Sequence, residues 1–276
     1  MKTIKEAVKL SGVGLMSGHN SNVSLFPSGE KGIRFFVAGS KVPVIASFKN
    51  ILSTDNCVIL GNDASNKVIL VEHFMSACAF AGIDALDVCI DFPELPIIDG
   101  SAIGWYELFE SANYEGDNAI EQTSFSQPIA MTSGRTTISL VPAEKTTFTY
   151  CINFDHPELK NRWVSFEPGQ GEKDILSART FGYLKDLEKF QQAGLALGAC
   201  ADNVVGLTET GYTAELRSEY EPARHKILDI IGDLYLTGRN PLGFKAHIIA
   251  KDAGHKSHTE FAAKLSEVFK ASEAYC

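Results

Sequence analysis

The sequence predicts an α+β fold of two similar domains, each a small sheet layered against two helices, with the working site between them. Two observations carry that expectation. Each half reads as short alternating strands followed by helix, strand, turn and helix, in the same order. In each half a histidine also stands near the start of the first helix, His73 in one and His225 in the other. A chain of 276 residues is long enough for two domains or one large one. Its 45% hydrophobic and 21% charged content is that of an ordinary soluble globular protein.

The first domain is expected over 1–113. Residues 22–27 alternate and break at Pro27, and 32–37 and 42–45 follow as strands between Gly and Ser punctuation. A helix over about 71–81, a strand at 86–90, the turn Asp99, Gly100, Ser101 and a helix over about 102–112 complete it. The polar, broken stretch 114–128 reads as a linker. The second domain, 129–276, has alternating strands at 136–141 and 146–153 and an insert over about 177–208. A helix over about 222–236, a strand at 243–249, a turn at Gly254 and a helix over about 255–271 follow. If the units pack face to face, both first helices deliver their histidines to one cleft, a common place for a small-molecule site.

Composition narrows the function. A net charge of −9 and a pI of about 5.3 argue against a nucleic-acid-binding surface, although a local basic patch around an anionic substrate stays open. The N-terminus has no apolar core of a secretory signal, and no apolar run is long enough to span a bilayer. The six cysteines (57, 78, 89, 151, 200, 276) form no Cys-x-x-Cys and read as reduced core residues, with Cys276 a free terminal thiol. The expectation is a cytoplasmic, monomeric protein whose metal, if any, is not held by cysteines. The lone Gly12, Val13, Gly14 lacks the continuation of a dinucleotide fingerprint.

The most informative stretch is 224–234. His225 and Asp229 are four apart and share a helix face, Asp233 continues the stripe, and Ile227, Leu228, Ile230, Ile231 and Leu234 cover the rest. So apolar a helix is largely buried, which turns the stripe toward an internal cleft. An imidazole and a carboxylate at this spacing can clamp a divalent cation; the plain alternative is a His–Asp pair on a solvated face. Glu72 beside His73 gives neighbours pointing about 100° apart, so one can bind a metal while the other enters the cavity from the side, as a base must. Its plain alternative is a surface Glu next to a core His. His255 stands at a strand-to-helix turn, where it is otherwise a helix-start residue meeting backbone or solvent.

Taken together, these segments resemble the UDP-3-O-acyl-N-acetylglucosamine deacetylases of lipid A synthesis. The likeness runs from Ser11, Gly12, Val13, Gly14, Leu15 to the C-terminal helix, through Val71–Glu72–His73, the run 93–101 and the run 177–182. It continues through His225, Lys226, Asp229, Gly232, Asp233, Leu234 and Gly254, His255. Five motifs in order are far more specific than any one. The resemblance implies two layered α/β domains and a zinc-dependent hydrolase that removes the N-acetyl group of a UDP-3-O-acyl-sugar substrate. It implies His73, His225 and Asp229 as metal ligands, Glu72 as general base, and His255 as general acid positioned by Asp233. Thr180 would help hold the tetrahedral intermediate, and Lys226 would contact the anionic substrate. Phe181, Leu187, Phe190, Leu195 and Ala196 would form an acyl-chain passage, although Leu187 and Phe190 equally suit the core of a short helix. Two histidines and a carboxylate suit Zn²⁺ and Fe²⁺ alike.

Two residues depart from the family pattern. Met16 stands where a histidine is usual, and a thioether cannot replace an imidazole's hydrogen bonds. His258 stands where an asparagine is usual, and either adds a ring nitrogen near His255 or points away. Met16 leaves room for a zinc amidase acting on another N-acyl sugar. A non-catalytic metal-binding relative is the other rival, but such a scaffold needs neither Glu72 nor His255.

Overall fold

Alternating apolar residues set the two sheets. In Gly32–Val37, Ile33, Phe35 and Val37 are buried while their neighbours are half-exposed; Phe244–Lys251 repeats the pattern with Phe244, Ala246, Ile248 and Ala250. The computed structural model describes residues 1–117 and 119–273, so the expectation for Cys276 lies outside the described residues. The first sheet runs Val8–Val13, Asn20–Pro27, Ala85–Ile90, Gly32–Val37, Val44–Ile45. The second runs Ile129–Ser133, Thr136–Pro142, Phe244–Lys251, Thr147–Ile152, Arg162–Phe166. Along both, neighbours pair antiparallel, antiparallel, parallel, antiparallel. The two halves are thus one topology used twice, as the order of elements in the sequence suggested.

Each sheet carries two helices. In the first half they are α1 (Glu72–Ala81) and α2 (Ile103–Ser111). The second half adds α3 (Glu172–Leu176) just before the insert and α4 (Leu184–Gln192) within it, and its sheet carries α5 (Glu221–Tyr235) and α6 (His255–Glu273). Phe74 of α1 meets Phe35 of its sheet at 5.7 Å and Trp105 of α2 at 5.1 Å between ring centroids. On its other side α1 packs against α5, which also rests on its own sheet and on α6. The helices therefore lie between the sheets, and one hydrophobic core runs through both halves.

Gly232 makes the α1–α5 contact possible. A side chain there would run into the Glu72 carbonyl oxygen and come within 3.1 Å of the Ser76 nitrogen. The two backbones approach through the one position on α5 that lacks a Cβ. α1 ends at Gly82, whose φ of 68° lets its N–H reach the Ala79 and Cys78 carbonyls.

Several elements go beyond the sequence reading. Val8–Val13 is an edge strand that is nowhere fully buried, so its apolar pattern is weak. Ile51–Ser53, Ile59–Gly61 and Lys67–Ile69 form a separate sheet of three-residue strands, too short to display a period. The stretch 114–128 is not featureless: Tyr114–Gly116 pairs with Lys2–Ile4, and Thr123–Ser124 pairs with the start of Phe244–Lys251. The described cysteines are unpaired; Cys89 is only half-buried, and Cys200 is exposed, not a core residue as expected. Cys200 sits in the insert, where an apolar cavity replaces a packed core.

Candidate active site

The contact between α1 and α5 brings the predicted residues together. Both helices are almost wholly buried, and His73 of α1 meets His225 and Asp229 of α5 between them. His73 Nε2 lies 3.8 Å and His225 Nε2 3.3 Å from Asp229 Oδ1, with the two rings edge to face at 4.9 Å. Asp229 Oδ1 is buried and accepts no hydrogen bond. One donor atom from each of the three residues lies within 4.8 Å of the others.

The surroundings prepare these atoms for a cation. His225 Nδ1 sits 2.9 Å from the Ala178 carbonyl, which fixes the proton on Nδ1 and leaves the Nε2 lone pair facing Asp229. Burial pushes the His73 imidazolium down to about 3, with His225 adding to the fall. Burial likewise lowers His225, against the pull of Asp229. Both rings are therefore neutral near pH 7, the state in which imidazole binds a metal. Burial resists ionisation of Asp229, but His225, Lys226 and His255 hold its carboxyl well below the usual range. Lys226 Nζ contacts Asp229 Oδ2 at 2.7 Å and lies 5.5 Å from the centre of the Phe181 ring. Two neutral imidazoles and an unsatisfied carboxylate oxygen form a donor set that fits a divalent cation.

Glu72 and His255 border the same space from different halves of the chain. Glu72 Oε2 accepts the Val58 backbone N–H at 3.0 Å, and Oε1 faces His255 Nε2 at 3.7 Å. Burial raises the Glu72 carboxyl to about 7; His255 pulls it down, and Asp233 and Asp229 add to the rise. For His255, burial disfavours the charged ring, but Asp233, Glu72 and Asp229 outweigh it and lift the imidazole to about 9. Asp233 Oδ2 holds His255 Nδ1 at 2.8 Å, and the same oxygen holds His258 Nδ1 at 2.8 Å. The added ring nitrogen is therefore close to His255, engaged with the same carboxylate.

A polar cavity of about 510 Å³ is lined by Glu72, His73, Thr180, His225, Lys226, Asp229 and His255. An apolar cavity of about 440 Å³ adjoins it and shares Leu15, Asn56, Thr180 and Phe181. Leu187, Phe190, Leu195 and Ala196 line this second space. α4 has no fully buried residue, so Leu187 and Phe190 are cavity wall, not core. Met16 lines the apolar cavity and is absent from the walls of the polar one.

Other residues of the site escaped the sequence reading. Buried Glu94 accepts the backbone N–H groups of Met16 at 2.6 Å and Ser17 at 2.9 Å, holding the turn that carries Met16 on the apolar cavity wall. Buried Glu221 takes the Arg179 backbone N–H at 2.9 Å and its guanidinium at 2.8 and 3.0 Å, anchoring the segment that carries Thr180 to the start of α5. Glu94 has a faint signal in sequence, a charge set between Pro93 and Leu95.

A family model for UDP-3-O-acyl N-acetylglycosamine deacetylase matches residues 1–267. The chain belongs to this family. Among proteins named UDP-3-O-acyl-N-acetylglucosamine deacetylase, it is 37% identical to that of Leptospira biflexa over 261 residues, 92% of this chain and 85% of that protein. It is 34% identical to that of Syntrophotalea carbinolica over 271 residues, covering 95% and 86% of the two chains. It is also 34% identical to that of a Nostoc strain over 281 residues, covering 95% and 97%. As a family member this deacetylase-like chain has no helix among the described residues long and apolar enough to cross a membrane.

Proposed function

We propose that this chain is a zinc-dependent deacetylase that hydrolyses the N-acetyl group of UDP-3-O-acyl-N-acetylglucosamine, releasing acetate and the free amine in lipid A biosynthesis. The observation that carries the reading is the convergence of His73, His225 and Asp229 in a cavity that Glu72 and His255, 3.7 Å apart, also line. In this reading the three residues hold one divalent cation. When bound, that cation polarises the amide carbonyl and acidifies water to near neutrality.

The chain's own groups then divide the proton transfers. Glu72, with a carboxyl raised to about 7 by burial, is poised to take the proton of the attacking water. His255, lifted to about 9 despite burial, carries a proton at neutral pH and can give it to the departing amine. The donation matters because an amide anion is a very poor leaving group. Asp233 holds the His255 ring through Nδ1, leaving Nε2 toward Glu72 and the cavity. Thr180, at the junction of the two cavities, is suited to contact the tetrahedral carbon's oxygen. Lys226 brings a positive charge to the cavity wall for an anionic substrate, and the adjoining apolar cavity suits a fatty acyl chain. Met16 lies on that apolar wall, where its thioether is compatible with an acyl chain.

The test is incubation of purified protein with UDP-3-O-acyl-N-acetylglucosamine, followed by mass spectrometry, after metal removal and after add-back of zinc or ferrous iron. Loss of one acetyl group that depends on added metal is expected. An unchanged substrate mass with fully metal-loaded protein would refute the proposal.

A further inference from the structure

His258 stands on the first turn of α6 where the family pattern has asparagine, and the structure ties it to the site. His255 and His258 are three apart and so share a helix face. That face meets Asp233 of α5, and both Nδ1 atoms lie 2.8 Å from Asp233 Oδ2. Asp233 Oδ1 is buried and has no hydrogen-bond partner, so the two imidazoles together orient this carboxylate. The terminal torsion of an aspartate is soft, and one donor alone leaves it free to swing. Two donors fixed on one helical turn do not.

We propose that His258 is a positioning residue, whose Nδ1–H shares Asp233 Oδ2 with His255 and thereby fixes the orientation of the His255 ring. The proposal rests on the reading of His255 as proton donor. His258 is wholly buried, and its Nε2 has no partner. Protonating the ring would bury an unpaired N–H, so the ring stays neutral with its hydrogen on Nδ1. Burial lowers its proton affinity in the same sense, against the pull of Asp233. His258 therefore gives Asp233 a hydrogen bond without competing for the positive charge, which stays on His255 beside Glu72. Local packing holds His258 in this role. The Tyr150 ring meets it edge-on at 6.2 Å, the Tyr150 hydroxyl donates to the Ala253 carbonyl, and the His258 backbone N–H closes the first turn on Gly254 O at 2.9 Å.

The two ring nitrogens have different amide mimics. An asparagine Nδ2 falls near the position of imidazole Nδ1, and a glutamine Nε2 near that of imidazole Nε2. The test compares His258→Asn, His258→Gln and His258→Leu with His255→Ala in the metal-loaded protein, measuring kcat, KM, metal content and folded fraction. His258→Leu and His258→Gln should lower kcat by about 10- to 100-fold, the usual cost of removing an orienting partner, with KM and metal content little changed. His258→Asn should recover most of that rate. Should His258→Leu fail to fold, the Asn–Gln comparison still decides. Equal rates for Asn and Gln, or a loss that appears only in KM, would overturn the positioning role. If His255→Ala itself keeps full turnover, it is the underlying assignment of the proton donor that fails.

Discussion

Replacing Gly232 by alanine tests how the fold builds the site. In an isolated helix interior, Gly→Ala favours the helix by about 1 kcal/mol, so a merely helical Gly232 predicts a more stable protein. The structure predicts the opposite sign. The new Cβ would overlap the Glu72 carbonyl oxygen and sit 3.0 Å from its carbon and 3.1 Å from the Ser76 nitrogen. Ordinary contacts of this kind lie at about 3.5–4.0 Å, and the obstacle is backbone, which cannot rotate away. α1 and α5 must part by roughly an ångström, and overpacking of this kind costs about 1–3 kcal/mol. The same displacement separates Glu72 and His73 from His225 and Asp229, because these residues ride on the two helices. Urea denaturation should give a lower midpoint with an unchanged slope, and calorimetric titration should give a weaker metal affinity. A Gly232→Ala protein that is more stable and binds metal as tightly as the parent would refute the claim that this contact sets the site.

Three further outcomes follow from the proposed roles. Glu72→Gln should retain the metal and lose about 10²–10⁴-fold in kcat, the range for a positioned general base; near-normal turnover would remove Glu72 from proton transfer. Turnover should rise with pH as Glu72 loses its proton, from a carboxyl at about 7 that a bound cation lowers further, and fall as His255 loses its own near 9. A pH series on the loaded enzyme with its acid limb above 7 contradicts that assignment; the limbs report the coupled site as a whole. Leu195→Trp should narrow the apolar cavity and slow long-acyl substrates more than short ones in competition assays, whereas equal slowing would argue that no acyl chain lies there.

What the sequence revealed and what it hid divide along physical lines. The stripe His225, Asp229, Asp233 was legible because a helix repeats its faces every three to four residues and the intervening positions are apolar. The duplicated topology was legible because the alternating strands Gly32–Val37 and Phe244–Lys251 each bury one face. The supports of the site were not. Ala178 orients His225 and Val58 orients Glu72 through backbone groups, which any residue supplies. Gly232 looks like an ordinary helix glycine until its neighbour across the interface is known. His258 offered a choice between two directions, and only the packing of α6 on α5 decides it.

The central claim is that one cation is held jointly by His73 from the first half and by His225 and Asp229 from the second. Metal-binding stoichiometry tests it most directly. Zinc titration followed by elemental analysis should find one tightly held equivalent in the parent protein. His73→Ala and His225→Ala, each still folded by circular dichroism, should lose it, while Glu72→Gln keeps it. A tight equivalent that survives in both folded histidine variants would contradict the account.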